Sequence, residues 1–209
     1  MELVLILVFL SLVVSLLTAL VSLLRGRRKK ALWLATACAA SGALYIAVVM
    51  TVAVLLPQRV LAVGEDRCFD DWCLAVSGVT VAPQLGEGDE LVRAEGRFYV
   101  VTLRLSNRAR GREQRAGSVA VHLLDQRGHV YDVSIRGQRA FESRNGVSAP
   151  LTSAIATGRF VDTVQVFDLP TDSAEVSLTV EHPVGPSPSL FVIGDEASLL
   201  HRPTIVRLH

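Results

Sequence analysis

Two uncharged apolar runs, Leu3 to Leu24 and Ala31 to Leu56, are separated by only six residues, and five of those six are cations: Arg25, Arg27, Arg28, Lys29 and Lys30. A helix needs roughly 20 apolar residues to cross the hydrocarbon of a bilayer. The first run has 22 and the second 26. At a rise of about 1.5 Å per residue they reach about 33 Å and about 40 Å, so the second is expected to tilt or to emerge before Pro57. The prediction is a transmembrane helical hairpin over residues 1–57.

The basic loop sets the expected orientation. Clustered Lys and Arg in a short loop stay cytoplasmic because moving them across is costly. Both termini then lie outside the cytoplasm, in a cell membrane crossed twice, with the bilayer itself as first partner. A cleaved signal peptide would want a basic start, a shorter apolar run and a small-residue cleavage site. Here Glu2 stands at the start, and the run ends directly in cations. Ser11, Ser15, Thr18 and Ser22 in the first run, and Ala35, Ala39, Ala43 and Ala47 in the second, fall at helical spacing, and such small residues suit the seam between packed spans. Cys38 reads as an inert residue of the second span.

The chain of 209 residues leaves 64–209 for one extracytoplasmic domain with a single core. Beyond Leu56 there are 16 Arg, 19 Asp plus Glu and no Lys. That mildly acidic balance excludes a nucleic-acid footprint. The lack of Lys after Lys30 reads as GC-rich coding and a bacterial source.

Past residue 70 the apolar period changes from helical to alternating. Trp72, Leu74 and Val76 share one direction; Tyr99, Val101, Leu103 and Leu105 share a face opposite Thr102, Arg104 and Ser106; Val119, Val121 and Leu123 repeat the pattern. Asp125 to Gly128 supplies a turn into His129 to Ser134, a hairpin signal. Further strands are expected around Ala140, over Val161 to Phe167 and Ala174 to Val180, and near Leu190 and Thr204. Seven or eight short strands without amphipathic helix predict an antiparallel immunoglobulin-like β-sandwich, so that the fold class is mainly β behind two transmembrane helices. Loops are expected at Pro83 to Gly96, at Asn107 to Gly117 and at His182 to Ser189.

The runs GRFYVVTLRLSN, VAVHLLDQRGHVYD and VDTVQVFDLP resemble the DUF4352 family of extracytoplasmic immunoglobulin-like bacterial domains over roughly residues 64 to 180. The resemblance implies a displayed β-sandwich with Gly128 as turn glycine, Tyr99, Tyr131 and Phe167 as packing aromatics and Pro170 ending a strand. It implies no reaction.

The densest cluster is Cys68-Phe69-Asp70-Asp71-Trp72-Cys73. In an oxidising compartment a Cys68 to Cys73 disulfide follows. Four residues between the cysteines depart from the two of a redox C-x-x-C, and no second ligand pair follows, which weighs against metal or redox exchange. Glu65, Asp66, Asp70 and Asp71 are oxygen donors of the type calcium takes, at a spacing that matches no EF-hand. Arg108, Arg110, Arg112 and Arg115, near Arg104, form a second charged run, whose functional reading is an anionic headgroup or polyanion and whose plainer reading is a solvated loop. His122, His129, His182, His201 and His209 lack metal-ligand spacing, and no catalytic motif is present.

A two-helix hairpin followed by a β-domain also resembles subunit II of cytochrome oxidases. That family's copper site needs two cysteines three residues apart late in the domain, and here both are early. The expectation is a non-enzymatic binding or assembly module without cofactor, whose partner is an unidentified envelope component or protein. Asp70, Asp71, Trp72, Arg108, Arg110 and Arg112 are its candidate binding residues. The alternative is a metal-handling or electron-transfer accessory subunit using the Cys68 to Cys73 loop. A hydrolase built on Asp195, Ser198 and His201 is a third, weaker reading.

Overall fold

The computed structural model describes residues 2–208 except 70, 118, 182–187, 194–197 and 199. The chain forms two compact units, residues 1–58 with 184–203, and residues 59–183 with 204–209.

In the first unit, α1 (Glu2–Leu24) and α2 (Arg28–Leu55) are joined by a tight turn. Both satisfy their backbone internally, and most of their large apolar side chains face outward: Leu24 is 79% exposed and Leu55 75%. The covered face of the hairpin keeps half of the predicted small-residue stripe on α1 and none of the one on α2. Ala35, Ala39, Ala43 and Ala47 are all exposed, as are Ser11 and Thr18. The covered positions include Ser15 and Ser22 of the predicted stripe beside Leu12 and Ala19 on α1, and Ala31, Leu34, Cys38, Val49 and Ala53 on α2. Cys38 Sγ lies 3.8 Å from the Leu12 carbonyl. Small residues permit close backbone approach, but the alanine stripe lies on the exposed face of α2 and does not take part in it. A 3-10 turn, Pro188–Phe191, belongs to the same unit. Its Phe191 carbonyl accepts the Tyr45 hydroxyl at 2.8 Å, and Gln58 donates to the Pro203 carbonyl at 2.8 Å. The strand expected near Leu190 is therefore a helical turn, since its prolines leave no ladder donors.

The second unit is a two-sheet sandwich. Its strands are β1 (Val60–Leu61), β2 (Arg67–Phe69), β3 (Trp72–Leu85), β4 (Val92–Asn107), β5 (Ala120–Leu124), β6 (Val130–Tyr131), β7 (Phe160–Leu169), β8 (Ser177–Glu181) and β9 (Ile205–Arg207). One sheet runs β1-β9-β8-β5-β6 and the other β2-β3-β4-β7. Leu74, Val76, Val101, Leu103, Leu105, Leu123, Phe167 and Leu178 fill the space between them. Phe167 is fully buried, and Tyr99 and Tyr131 pack against the same core.

Three expectations are corrected here. The sandwich is not wholly antiparallel: β1 pairs with β9 in parallel, Val60 opposite Ile205 and Leu61 opposite Val206. The first and last strands are joined by no hairpin, so nothing in the local chain imposes an antiparallel sense. The Pro83 to Gly96 segment is not one long loop, because β3 runs to Leu85 and β4 starts at Val92. Pro83 falls in a register shift between Ala82 and Gln84, where its missing N–H costs no ladder bond.

The third correction is the strand expected around Ala140, which is a helix, α3 (Ile135–Asn145). Ser134 caps it by accepting the Gly137 N–H at 3.2 Å, and Gly146 ends it at φ +85°. The helix covers the outer face of β4 and β7, where Phe98, Val100 and Val166 form a second small core with Phe141 and Leu85. An added Cβ at Gly137 would stand 2.8 Å from both Phe98 and Val166, so only glycine lets the helix come this close. Gln138 completes the arrangement by mimicking a strand: its amide donates to the Val164 carbonyl at 3.1 Å and accepts the Val166 N–H at 2.9 Å. An exposed edge strand invites pairing with other chains, and α3 closes this one.

Candidate functional site: the disulfide hairpin, the arginine loop and a cleft beside α3

β2 and β3 form a hairpin in which Cys68 stands opposite Cys73 and Phe69 opposite Trp72. Cys68 and Cys73 are joined by a disulfide. Directly behind it, Arg67 is only 6% exposed. A buried guanidinium needs acceptors. Arg67 donates to the Val180 carbonyl at 3.2 Å and the Thr204 carbonyl at 3.4 Å, tying the hairpin to the other sheet. Its guanidinium carbon sits 4.6 Å above the Phe69 ring, and Phe69 in turn stacks on Trp72 at 4.6 Å and 16°. Trp72, a predicted binding residue, is thus a buried anchor of the core and presents no face to solvent.

The loop after β4 is built by Asn107. Its side-chain amide donates to the carbonyls of Ile155 at 2.7 Å and Arg112 at 2.9 Å, and its oxygen accepts the Ala109 N–H at 2.7 Å. The loop is thereby folded over the hairpin. Arg108 forms an ion pair with Asp66, and Arg112 with Asp71. The Arg108 N–H donates to the Asp71 carbonyl at 2.7 Å, and Gln114 reaches the Asp71 carboxylate at 3.3 Å.

The acidic hairpin and the arginine loop, read separately from the sequence, are therefore each other's counter-charge. Asp71 and Asp66 are engaged by guanidinium groups, Arg115 pairs with Glu113 at 3.5 Å, and Glu65 accepts the Ala62 N–H at 2.8 Å. Arg104 grips Asp162 through two bonds of 2.8 and 2.9 Å and lies 4.3 Å above the Phe160 ring. The hydrogen bond from Arg104 holds the Asp162 carboxyl below the usual carboxylate range. Arg110 is exposed, with no ion pair among the described residues. Among the described residues no three His, Cys, Asp or Glu side chains are grouped to hold a metal ion. Asp70, His182, Asp195 and His209 lie outside the described residues. Of the hydrolase candidates, Ser198 and His201 share a turn in which the His201 N–H donates to the Ser198 carbonyl at 3.1 Å.

Two features escaped the sequence reading. The first is Asp125, whose buried carboxylate accepts the Arg127 N–H at 2.8 Å, the His129 N–H at 2.9 Å, the His129 ring at 2.9 Å and the Tyr131 hydroxyl at 3.2 Å. Burial alone would raise its pKa, but the bonds from His129 and Arg127 outweigh it and bring the group down to about 2. The same burial pushes the Tyr131 phenol up. The D-Q-R-G-H-V-Y motif signals this arrangement: the Asp turns the chain, Gly128 takes φ +79°, and the Tyr returns to the Asp.

The second is a cleft of about 640 Å³ where the β6 to α3 connection passes the ends of β4 and β7. Tyr131, Asp132, Ile135, Arg136 and Asp168 line it. The Asp168 carboxylate is occupied by the N–H groups of Glu95 at 2.9 Å and Gly96 at 3.1 Å. Val130 and Ile135 are exposed at its rim, 62% and 67%, beside Arg136. No sequence signal marked this cleft, because it exists only once α3 is a helix.

No family model matches the chain, so membership of DUF4352 is not shown, and no curated protein matches its sequence. Among solved structures the chain is similar to bacterial β-sandwich proteins. An uncharacterized β-sandwich protein from Clostridium difficile 630 is 12% identical, covering 73% of this chain and 95% of that one, with a TM-score of 0.44. The yjhA protein of Bacillus subtilis is 12% identical, covering 71% and 99%, with a TM-score of 0.46. The secreted protein MPT63 of Mycobacterium tuberculosis is 14% identical, covering 61% and 92%, with a TM-score of 0.44.

Proposed function

We propose that the chain is a membrane-anchored extracytoplasmic module that binds a partner or helps to assemble one, without catalysis of its own. The observation that carries this reading is the hairpin: two helices of 23 and 28 residues whose large apolar side chains point away from each other, with five cations at the turn. Water would leave that surface unsatisfied, and lipid satisfies it. The charge at the turn favours a cytoplasmic loop, which puts the sandwich on the opposite side and its cysteines in an oxidising setting. An immunoglobulin-like, DUF4352-like sandwich suits that role, because it holds variable loops on a rigid frame. The cleft beside Tyr131, Ile135 and Arg136 is the surface we assign to the partner, since it combines exposed apolar groups with a guanidinium.

The metal-handling alternative loses support from the ion pairs, which already occupy Asp66 and Asp71. Protease added to spheroplasts tests the main reading. Digestion of the sandwich from outside, with the loop at Arg25 to Lys30 protected, is the expected result; a protected sandwich that takes up a cytosolic label would sink it.

A further inference from the structure

We propose that the turn between α1 and α2 holds the phosphate of one anionic phospholipid headgroup. The proposal rests on the membrane-spanning reading and adds to it a specific ligand. At the turn a cleft of about 270 Å³ opens, lined by Ser22, Arg25, Arg27 and Lys30 on its polar side and by Leu17 and Val21 on its apolar side. Three cations converge there, and among the described residues none of them forms an ion pair.

Ser22 adds a hydroxyl to the same wall. Ser11, Thr18, Thr36, Ser41 and Thr51 each donate to a carbonyl three or four residues back, as hydroxyls on apolar helices do when nothing else is at hand. Ser15 and Ser22 make no such bond among the described residues, and of the two it is Ser22, 7% exposed, that lines the cleft. Its hydroxyl opens onto the cleft, where it is free to donate to an acceptor. A phosphate oxygen in the cleft would supply one. The N-terminus of α2 adds to the field: its N-cap, Arg27, offers no side-chain acceptor to the first-turn N–H groups, and a helix N-terminus favours anions.

A lipid is favoured over free phosphate by the other wall. Leu17 and Val21 belong to the outward apolar face of α1, on which an acyl chain or glycerol backbone lies naturally once the headgroup is held. Guanidinium and ammonium groups supply charge-assisted bonds to the phosphate. Arg28 and Lys29 are equally cationic and do not line the cleft.

Native mass spectrometry of the full chain in detergent, titrated with phosphatidylglycerol or phosphatidylcholine, tests the site. Phosphatidylglycerol is expected to be retained about tenfold more tightly than phosphatidylcholine, and the paired substitution Arg27→Gln with Lys30→Gln to remove about that factor. Arg28→Gln with Lys29→Gln makes the same change in net charge and is expected to alter retention less than about twofold, as for screened charges remote from the ligand. Ser22→Ala, which leaves every charge in place, is expected to weaken binding a few-fold. Equal losses from the two charge pairs would mean a diffuse attraction and overturn the site, as would displacement of the lipid by an equal concentration of glycerol phosphate. The readout is on purified chain, so an inverted orientation in cells would defeat the proposed display of the sandwich and leave this result standing.

Discussion

The Arg112 guanidinium sits on the Asp71 carboxylate, joining the arginine loop to the disulfide hairpin across 41 residues of chain. Both side chains are substantially exposed, 69% and 40%, so the pair positions the loop more than it stabilises the domain. A double-mutant cycle of Arg112→Ala and Asp71→Ala, read by urea denaturation through Trp72 fluorescence in a Trp33→Phe background, is expected to give a coupling of about 0.5 kcal/mol. The coupling should vanish near 1 M salt, where the screening length is about 3 Å.

The disulfide does more. It closes a short loop at the entry to β3, and chain-entropy reasoning gives about 2 kcal/mol for a loop of this size. The double variant Cys68→Ser, Cys73→Ser is expected to lower the unfolding free energy by that amount while the sandwich still folds, because Arg67, Phe69 and Trp72 hold the same hairpin from behind. Loss of all tertiary signal in that variant would show that the stack does not hold the hairpin alone.

Asp125 predicts a pH dependence with a definite sign. Its pKa is about 2 in the folded chain and 3.8 in its ordinary state. A carboxyl with a depressed pKa contributes stability that is fully present above pH 4 and is lost as pH falls toward 2. Thermal unfolding of the native chain should therefore weaken across that window. Asp125→Asn should start lower at pH 7 and show a shallower decline between pH 4 and 2; an unchanged slope would contradict the assignment.

Gly137→Ala pits two effects against each other. Alanine favours an exposed helix by about 1 kcal/mol over glycine, while forcing a methyl against buried Phe98 and Val166 costs about 1–3 kcal/mol. The clash is expected to win, with a net loss of about 1 kcal/mol in the same denaturation assay. Arg139→Ala, on an exposed position of the same helix, should stay within about 0.5 kcal/mol.

Local patterns were legible where one residue's neighbours decide its environment. The alternation of Tyr99, Val101, Leu103 and Leu105 announced β4, and Asp125 to Gly128 announced its turn. Phe98 and Val100 broke that alternation, and the break was the signal of a second covered face. What covers that face is not legible locally, because the covering element, α3, carries Arg136, Arg139 and Arg144 and little apolar surface of its own.

Sequence alone determined the two long apolar helices, the charged turn, the bridged cysteines and the β-rich remainder, because hydropathy, charge and spacing act over a few residues and need no distant partner. Only the tertiary structure decided that the acidic hairpin and the arginine loop neutralise each other, that β1 and β9 meet in parallel, that Ala31 and Cys38 and not the alanine stripe lie on the covered face of α2, and that a cleft opens beside α3. Each of these depends on which surfaces, remote along the chain, come into contact. Packing selects those contacts by summing many weak terms, and no short window of sequence contains that sum.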